Sequence, residues 1–233
     1  MDGNNIYLGA YIIFGVIALV SYLVSNTLQS RFKKYSAIPL RSGMTGSEVA
    51  EKMLKDNGIS NVTVTSVRGQ LTDNYNPTNR TLNLSEPVYG ANSVAAAAVA
   101  AHECGHAVQH ATAYKWLTMR SKIVPFVSFA SKWMQWVLLA GIVTLQVFPQ
   151  LMLAGIILFG VTTLFSFITL PVEINASMRA VAWLEKSGVV DALTKPAAVD
   201  ALKWAAYTYV VAALGSLATL VYYIMIFMSR QRR

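Results

Sequence analysis

Residues 150–177 read QLMLAGIILFGVTTLFSFITLPVEINAS, twenty-one uncharged residues followed at once by a proline and, two positions later, a glutamate. At 1.5 Å per residue a helix of that length crosses a hydrocarbon core of about 30 Å. This stretch therefore reads as a membrane span, and the carboxylate just past its end asks for a partner. The rest of the chain is consistent with that reading. Of its 233 residues 55% are apolar and only 13% charged, where a soluble domain carries about a quarter charged. Such a balance excludes a disordered chain and argues against an ordinary soluble globule.

Three further stretches concentrate the apolar residues. Residues 6–24 and 205–228 carry no charge, and Tyr207, Tyr209, Tyr222 and Tyr223 stand near the ends of the latter as an aromatic belt would. Residues 123–148 are interrupted by Lys132 and Gln135 between Trp133 and Trp136. A helix starting near Pro125, with Lys132 snorkelling toward the headgroups, makes this a fourth span. Pro149 then punctuates the turn into the next. The first run lacks a basic segment before it and a small-x-small cleavage site after it, which favours a retained anchor over a cleaved leader.

The expected fold is mainly α: about four membrane helices with a small α+β portion between them. The divisions are an anchor over 1–26, a soluble portion over 27–122, a helical hairpin over 123–170, soluble helices over 171–204, and a C-terminal span with a basic tail over 205–233. Two of these, 27–122 and 171–204, hold fifteen of the nineteen Lys and Arg. The net charge of +8 resolves into +5 on those parts, +2 on the opposite face and +1 from Lys132. The positive-inside rule places the soluble parts in the cytoplasm, although Arg230, Arg232 and Arg233 pull the other way. No basic groove interleaved with aromatic residues suggests nucleic acid. A single cysteine, Cys104, excludes an intramolecular disulfide and a Cys-rich zinc finger.

Within the soluble portion, Thr45-Gly46-Ser47-Glu48 forms a capping box before an apolar stripe of Val49, Met53 and Leu54, and Asn57-Gly58 supplies the stop. Alternation around Val62 and Val64 and again over 80–85 predicts two short strands, with Tyr75-Asn76-Pro77 as a turn between them. From Asn92 or Ser93 to Thr112 the chain is Ala-rich and strongly helix-forming.

That helix contains His102-Glu103-Cys104-Gly105-His106, an H-E-x-x-H motif. Positions i and i+4 share a helical face, so both imidazoles can bite one metal ion, with the glutamate beside it. Zinc lowers the pKa of a bound water to about 7 and polarises a carbonyl, and Glu103 is placed to take the proton. With three histidines in the chain, chance rarely builds this spacing. A structural zinc is the alternative.

A third ligand is needed. His110 lies about 12 Å further along a straight helix than His102, and the glycine that would break the helix is absent. Asp73 and Glu86 lack helical context. Glu173 follows the third span directly, with Pro171 placed to open a helix there. The competing reading is a glutamate stabilised by the helix dipole. Topology permits the ligand: two spans, an even number, separate it from the His pair.

These segments together resemble the YugP-like neutral zinc metallopeptidases, integral-membrane proteins of bacteria. The resemblance is carried by Thr72-Asp73-Asn74-Tyr75-Asn76-Pro77, by residues 93–110 around the H-E-x-x-H motif, and by Val172-Glu173-Ile174-Asn175-Ala176-Ser177. It implies a multi-pass zinc metallopeptidase of the cell membrane with a zincin-like soluble portion, one Zn2+ ion held by His102 and His106, and Glu103 as the catalytic residue. In the wider gluzincin class, which the layout resembles, the third ligand comes from an E-x-x-x-D helix. Glu173 matches the glutamate, whereas Ser177 stands at the aspartate position, so the support of a ligating histidine passes to Asn175, Ser177 or Asp73.

Cys104 reads as a small buried residue turned from the metal face, and Gly105 as a site of close packing. His110, Tyr75 and Arg179 are candidates for stabilising an oxyanion, each with ordinary structure as the alternative. Residues 80–85 are a candidate edge for an extended peptide. The function expected is hydrolysis of peptide bonds in a peptide or protein substrate at the cytoplasmic face of the bilayer. The alternatives are a non-catalytic membrane adaptor with a structural zinc, or a zinc hydrolase of a non-peptide amide or ester. Oligomeric state and substrate preference are not encoded legibly.

Overall fold

The structure is a computed structural model that describes the backbone of residues 3–231 and the side chains of 11–229. Asp2, Arg232, Arg233 and the side chain of Arg230 lie outside the described residues. The elements run α1 (Gly3–Ser36), α2 (Gly46–Asp56), β1 (Thr63–Val67), β2 (Asn74–Asn76), β3 (Thr81–Ser85), α3 (Glu86–Tyr89), α4 (Val94–Ala111), α5 (Lys115–Val143), α6 (Pro149–Lys186) and α7 (Lys195–Gln231). The protein is mostly helical. Among the described residues four helices, α1, α5, α6 and α7, are long and apolar enough to cross a membrane.

Two compact units emerge from the packing. One draws on Val24–Thr118 and Pro171–Tyr207. Its core gathers Val49, Met53 and Leu54 of α2, Leu82 and Leu84 of β3, Ala97, Ala101 and Cys104 of α4, Leu184 of α6 and Leu202 of α7. Each large side chain here removes enough apolar surface to contribute about 1.5–3 kcal/mol. The capping box at α2 closes in both directions: the Thr45 hydroxyl accepts from the Glu48 amide at 3.4 Å, and the Thr45 amide donates to Glu48 Oε2 at 2.7 Å. Asn57 caps the other end, and Gly58 follows at φ +69°. A residue with a side chain would be strained there.

Helix α4 begins at Ser93, whose hydroxyl accepts from the Ala96 amide at 3.2 Å. It is buried on nearly every face. Its run of alanines follows from that position, since neighbours approach from several sides and larger side chains would hold them apart.

The sheet has order β1-β3-β2, with β1 parallel and β2 antiparallel to β3. Two expectations are corrected here. Tyr75 and Asn76, expected in a turn with Pro77, instead belong to strand β2, which pairs with Thr81–Asn83. The reversal falls later, where Asn76 Oδ1 accepts from the Thr78 amide at 2.9 Å and Arg80 adopts φ +55°. Within 80–85, expected to offer an edge to a peptide, Thr81–Ser85 is the central strand, paired along its length with β1 and over Thr81–Asn83 with β2.

The second unit draws, among the described residues, on 3–23, Met119–Leu170 and 208–231. Leu138, Leu145, Met152 and Ile156 pack around the turn into α6. A Cβ on Gly141 would meet the Met152 Cα at 2.6 Å, so glycine permits the close crossing of α5 and α6. Thr163 and Ser216 share a hydrogen bond at 2.7 Å.

The helix starts also differ from expectation. Helix α5 begins at Lys115 rather than near Pro125, and Pro125 lies inside it. Pro171, expected to open a new helix, lies inside the continuous α6. Proline removes one backbone donor and crowds one carbonyl. That local cost is outweighed by the helix on either side, and the Pro171 carbonyl accepts from the Tyr114 hydroxyl at 3.4 Å.

Candidate metal centre

Helix α4 presents His102 and His106 one turn apart, their rings 4.9 Å between centroids and at 84° to each other. From α6, Glu173 projects its carboxylate between them. Glu173 Oε2 lies 3.3 Å from His102 Nε2 and 3.5 Å from His106 Nε2. All three donor atoms lie within 4.8 Å of one another. Glu173 is 3% and His106 9% exposed.

These spacings fit a metal ion. Tetrahedral zinc binds nitrogen and oxygen at about 2.0–2.2 Å, so two donors on one tetrahedral edge stand about 3.3–3.5 Å apart. The two His–Glu separations have that length. Two imidazole nitrogens and one carboxylate oxygen also leave a fourth position for water or substrate, which suits a catalytic rather than a closed structural site.

The approach of α4 to α6 depends on Gly105. A Cβ there would lie 2.6 Å from the Ala176 carbonyl oxygen. Glycine lets the two backbones close, and that closure brings Glu173 to the His pair.

Each histidine is also held at its other nitrogen. His102 Nδ1 is 3.1 Å from Ser177 Oγ, and His106 Nδ1 is 3.1 Å from Gln109 Oε1. Such outer contacts orient ligating imidazoles. Burial pulls His106 toward its neutral form, but the Glu173 and Glu103 carboxylates and Gln109 more than offset it. In the metal-free chain its pKa is raised.

Glu103 is 9% exposed, and its carboxylate makes no hydrogen bond or ion pair to the described residues. Its carboxylate stands near enough to act on the charge of His106. Cys104 is fully buried, its thiol 3.5 Å from the Ala50 carbonyl, and burial pushes its pKa well up.

The other candidates go elsewhere. Asp73 accepts from the Ser85 amide at 2.8 Å and from its hydroxyl at 3.0 Å, which ties down the end of β3. Neither hydrogen bond involves a histidine. Tyr75 and His110 pair with each other, hydroxyl to Nδ1, at 2.8 Å. Asn175 Oδ1 accepts from Arg179 Nε at 2.8 Å and from Gln109 Nε2 at 3.0 Å. The Arg179 guanidinium also lies over the Tyr114 ring, 5.9 Å from its centroid. Of the residues considered as support for the histidines, Ser177 alone touches one directly. Gln109 was not singled out from sequence, and its position at i+3 from His106 was the available signal.

A family model described as "Putative neutral zinc metallopeptidase" matches residues 10–228. The chain belongs to this family. It is also 42% identical, over 220 residues, to the "Putative membrane protease YugP" of Bacillus subtilis (strain 168), an alignment covering 94% of this chain and 97% of the relative. No solved structure matches. The metal named in the family description agrees with the donor set that α4 and α6 assemble.

Proposed function

We propose that the chain is a multi-pass membrane zinc metallopeptidase that hydrolyses peptide bonds in peptide or protein substrates. His102, His106 and Glu173 hold one zinc ion, and Glu103 is the general base. The observation that carries this reading is the convergence of both Nε2 atoms on the Glu173 carboxylate at tetrahedral-edge distances. The family membership and the printed name of the Bacillus subtilis relative support it.

When bound, the ion supplies a Lewis acid that polarises the scissile carbonyl and acidifies water. The chain's own residues do the rest. Glu103, with neither carboxylate oxygen committed to another described side chain, accepts a proton from the attacking water and returns it to the leaving amine. Ser177 and Gln109 hold the two imidazoles by their Nδ1 atoms. Low exposure of Glu103, His106 and Glu173 keeps the effective dielectric low and strengthens each of these interactions.

In this reading α2, the sheet and α4 form a zincin-like portion within 27–122, completed by 171–204, with the remaining segments embedded in the cell membrane. The basic excess of those two parts favours the cytoplasmic side.

Glu103→Gln tests the assignment. It is expected to bind zinc as the wild type does and to lose peptide hydrolysis by several orders of magnitude. Undiminished hydrolysis by Glu103→Gln would overturn the role of Glu103. A silent Glu103→Gln beside a His102→Ala of reduced abundance or stability would favour the adaptor reading.

A further inference from the structure

Four residues beside the metal centre form a chain of hydrogen bonds whose direction is determined at both ends. Arg179 Nε–H can only donate, so the Asn175 atom 2.8 Å away is its carbonyl oxygen. The Val172 main-chain carbonyl can only accept, so the Gln109 atom 2.8 Å from it is the amide nitrogen. That nitrogen also donates to Asn175 Oδ1 at 3.0 Å, in agreement with the direction set from Arg179. Two independent anchors thus assign both amides, whose oxygen and nitrogen are nearly alike in shape.

The consequence falls on His106. With its nitrogen committed to Val172 and Asn175, Gln109 turns its carbonyl oxygen toward His106 Nδ1 at 3.1 Å. An oxygen there accepts, so Nδ1 carries a proton, and in the neutral ring that would bind a metal Nε2 keeps its lone pair on the Glu173 side. Gln109 is fully buried. Water is therefore a poor substitute for these bonds, and reversing the amide leaves the Val172 carbonyl facing an oxygen.

We propose that Gln109, Asn175 and Arg179 form a positioning relay that holds His106 in the Nδ1–H tautomer, with Nε2 directed at the metal. The relay joins α4 to α6 and rests on the metal-centre reading above. Its polarity separates it from simple packing. At position 175 it requires only acceptors, so aspartate replaces asparagine, whereas leucine of similar size does not. At position 109 it requires a donor and an acceptor together. Arg179, braced by the Tyr114 ring, anchors the outer end.

The test uses full-length protein in detergent, zinc affinity by chelator competition, thermal melting, and 15N spectra of histidine-labelled protein, in which the three histidines give few signals. Zinc-loaded wild type and Asn175→Asp are expected to show a protonated His106 Nδ1 and to bind zinc within a few-fold of each other. Gln109→Leu and Asn175→Leu are expected to lose about 10- to 100-fold in zinc affinity, with the His106 N–H signal displaced. If Gln109→Leu does not fold, the Asn175 pair decides alone. Equal zinc affinity in Asn175→Leu and Asn175→Asp, or an unprotonated Nδ1 in the wild type, overturns the relay and leaves the metal centre standing. A folded wild type that takes up no zinc overturns the metal-centre reading and the relay with it.

Discussion

Gly105 of α4 packs so closely on Ala176 of α6 that a Cβ would stand 2.6 Å from the Ala176 carbonyl oxygen and 3.1 Å from its Cα. The contact lies between the two histidines on one helix and three residues beyond Glu173 on the other. A backbone approach therefore sets the distance across which the three donors meet.

Gly105→Ala is expected to destabilise the protein even though alanine is the better helix former by about 1 kcal/mol. Overpacking against backbone costs about 1–3 kcal/mol, and the movement that relieves it separates Glu173 from the His pair. Thermal melting and chelator competition on the purified protein should show a lower midpoint and weaker zinc binding together. A variant as stable as wild type with unchanged affinity would show that the helices do not need this closeness.

Ser177 supports His102 through a neutral hydroxyl at 3.1 Å. Ser177→Ala removes that support and is expected to weaken zinc binding about tenfold. Ser177→Asp places a carboxylate in reach of the same nitrogen and is expected to retain or tighten binding. Affinities measured side by side check the order Asp at or above Ser, and Ser above Ala.

His110 hydrogen-bonds to Tyr75 and stands apart from the donor set. His110→Ala is accordingly expected to keep full zinc content. Loss of the metal in this variant alone would place a ligand where neither helix geometry nor the observed contacts put one.

Cys104 is the single cysteine, fully buried, with its pKa raised by burial. The native protein is expected to resist thiol alkylation at neutral pH and to react once denatured, since the thiolate is the reactive form. Mass spectrometry after brief labelling reads this directly. Rapid labelling of folded protein would mean that the packing between α2 and α4 opens readily.

Much of this arrangement is legible locally. Thr45 and Glu48 announce a helix start because both partners of the capping box lie within one turn, and the alanine run that begins near Ser93 announces α4 by its helix propensity. His102, His106 and Glu173 are legible because helical spacing joins the first two and span parity admits the third. What escapes local reading depends on distant partners. Asn74–Asn76 contains two asparagines, poor strand formers, and becomes a strand because β3 presents a ladder to it. Pro171 reads as a helix start, yet the apolar run before it and the packed helix after it carry α6 through. The meaning of Gln109 is set by Val172 and Asn175, more than sixty residues later in the chain. An amide in an Ala-rich helix carries no sign of that by itself.

The central claim is that His102 and His106 of α4 share one zinc ion with Glu173 of α6. Metal analysis of the purified full-length protein, wild type beside Glu173→Ala and His102→Ala, tests it most directly. The account predicts about one zinc per chain in the wild type and a large loss of affinity in both variants. Zinc bound as tightly by Glu173→Ala as by wild type would contradict it.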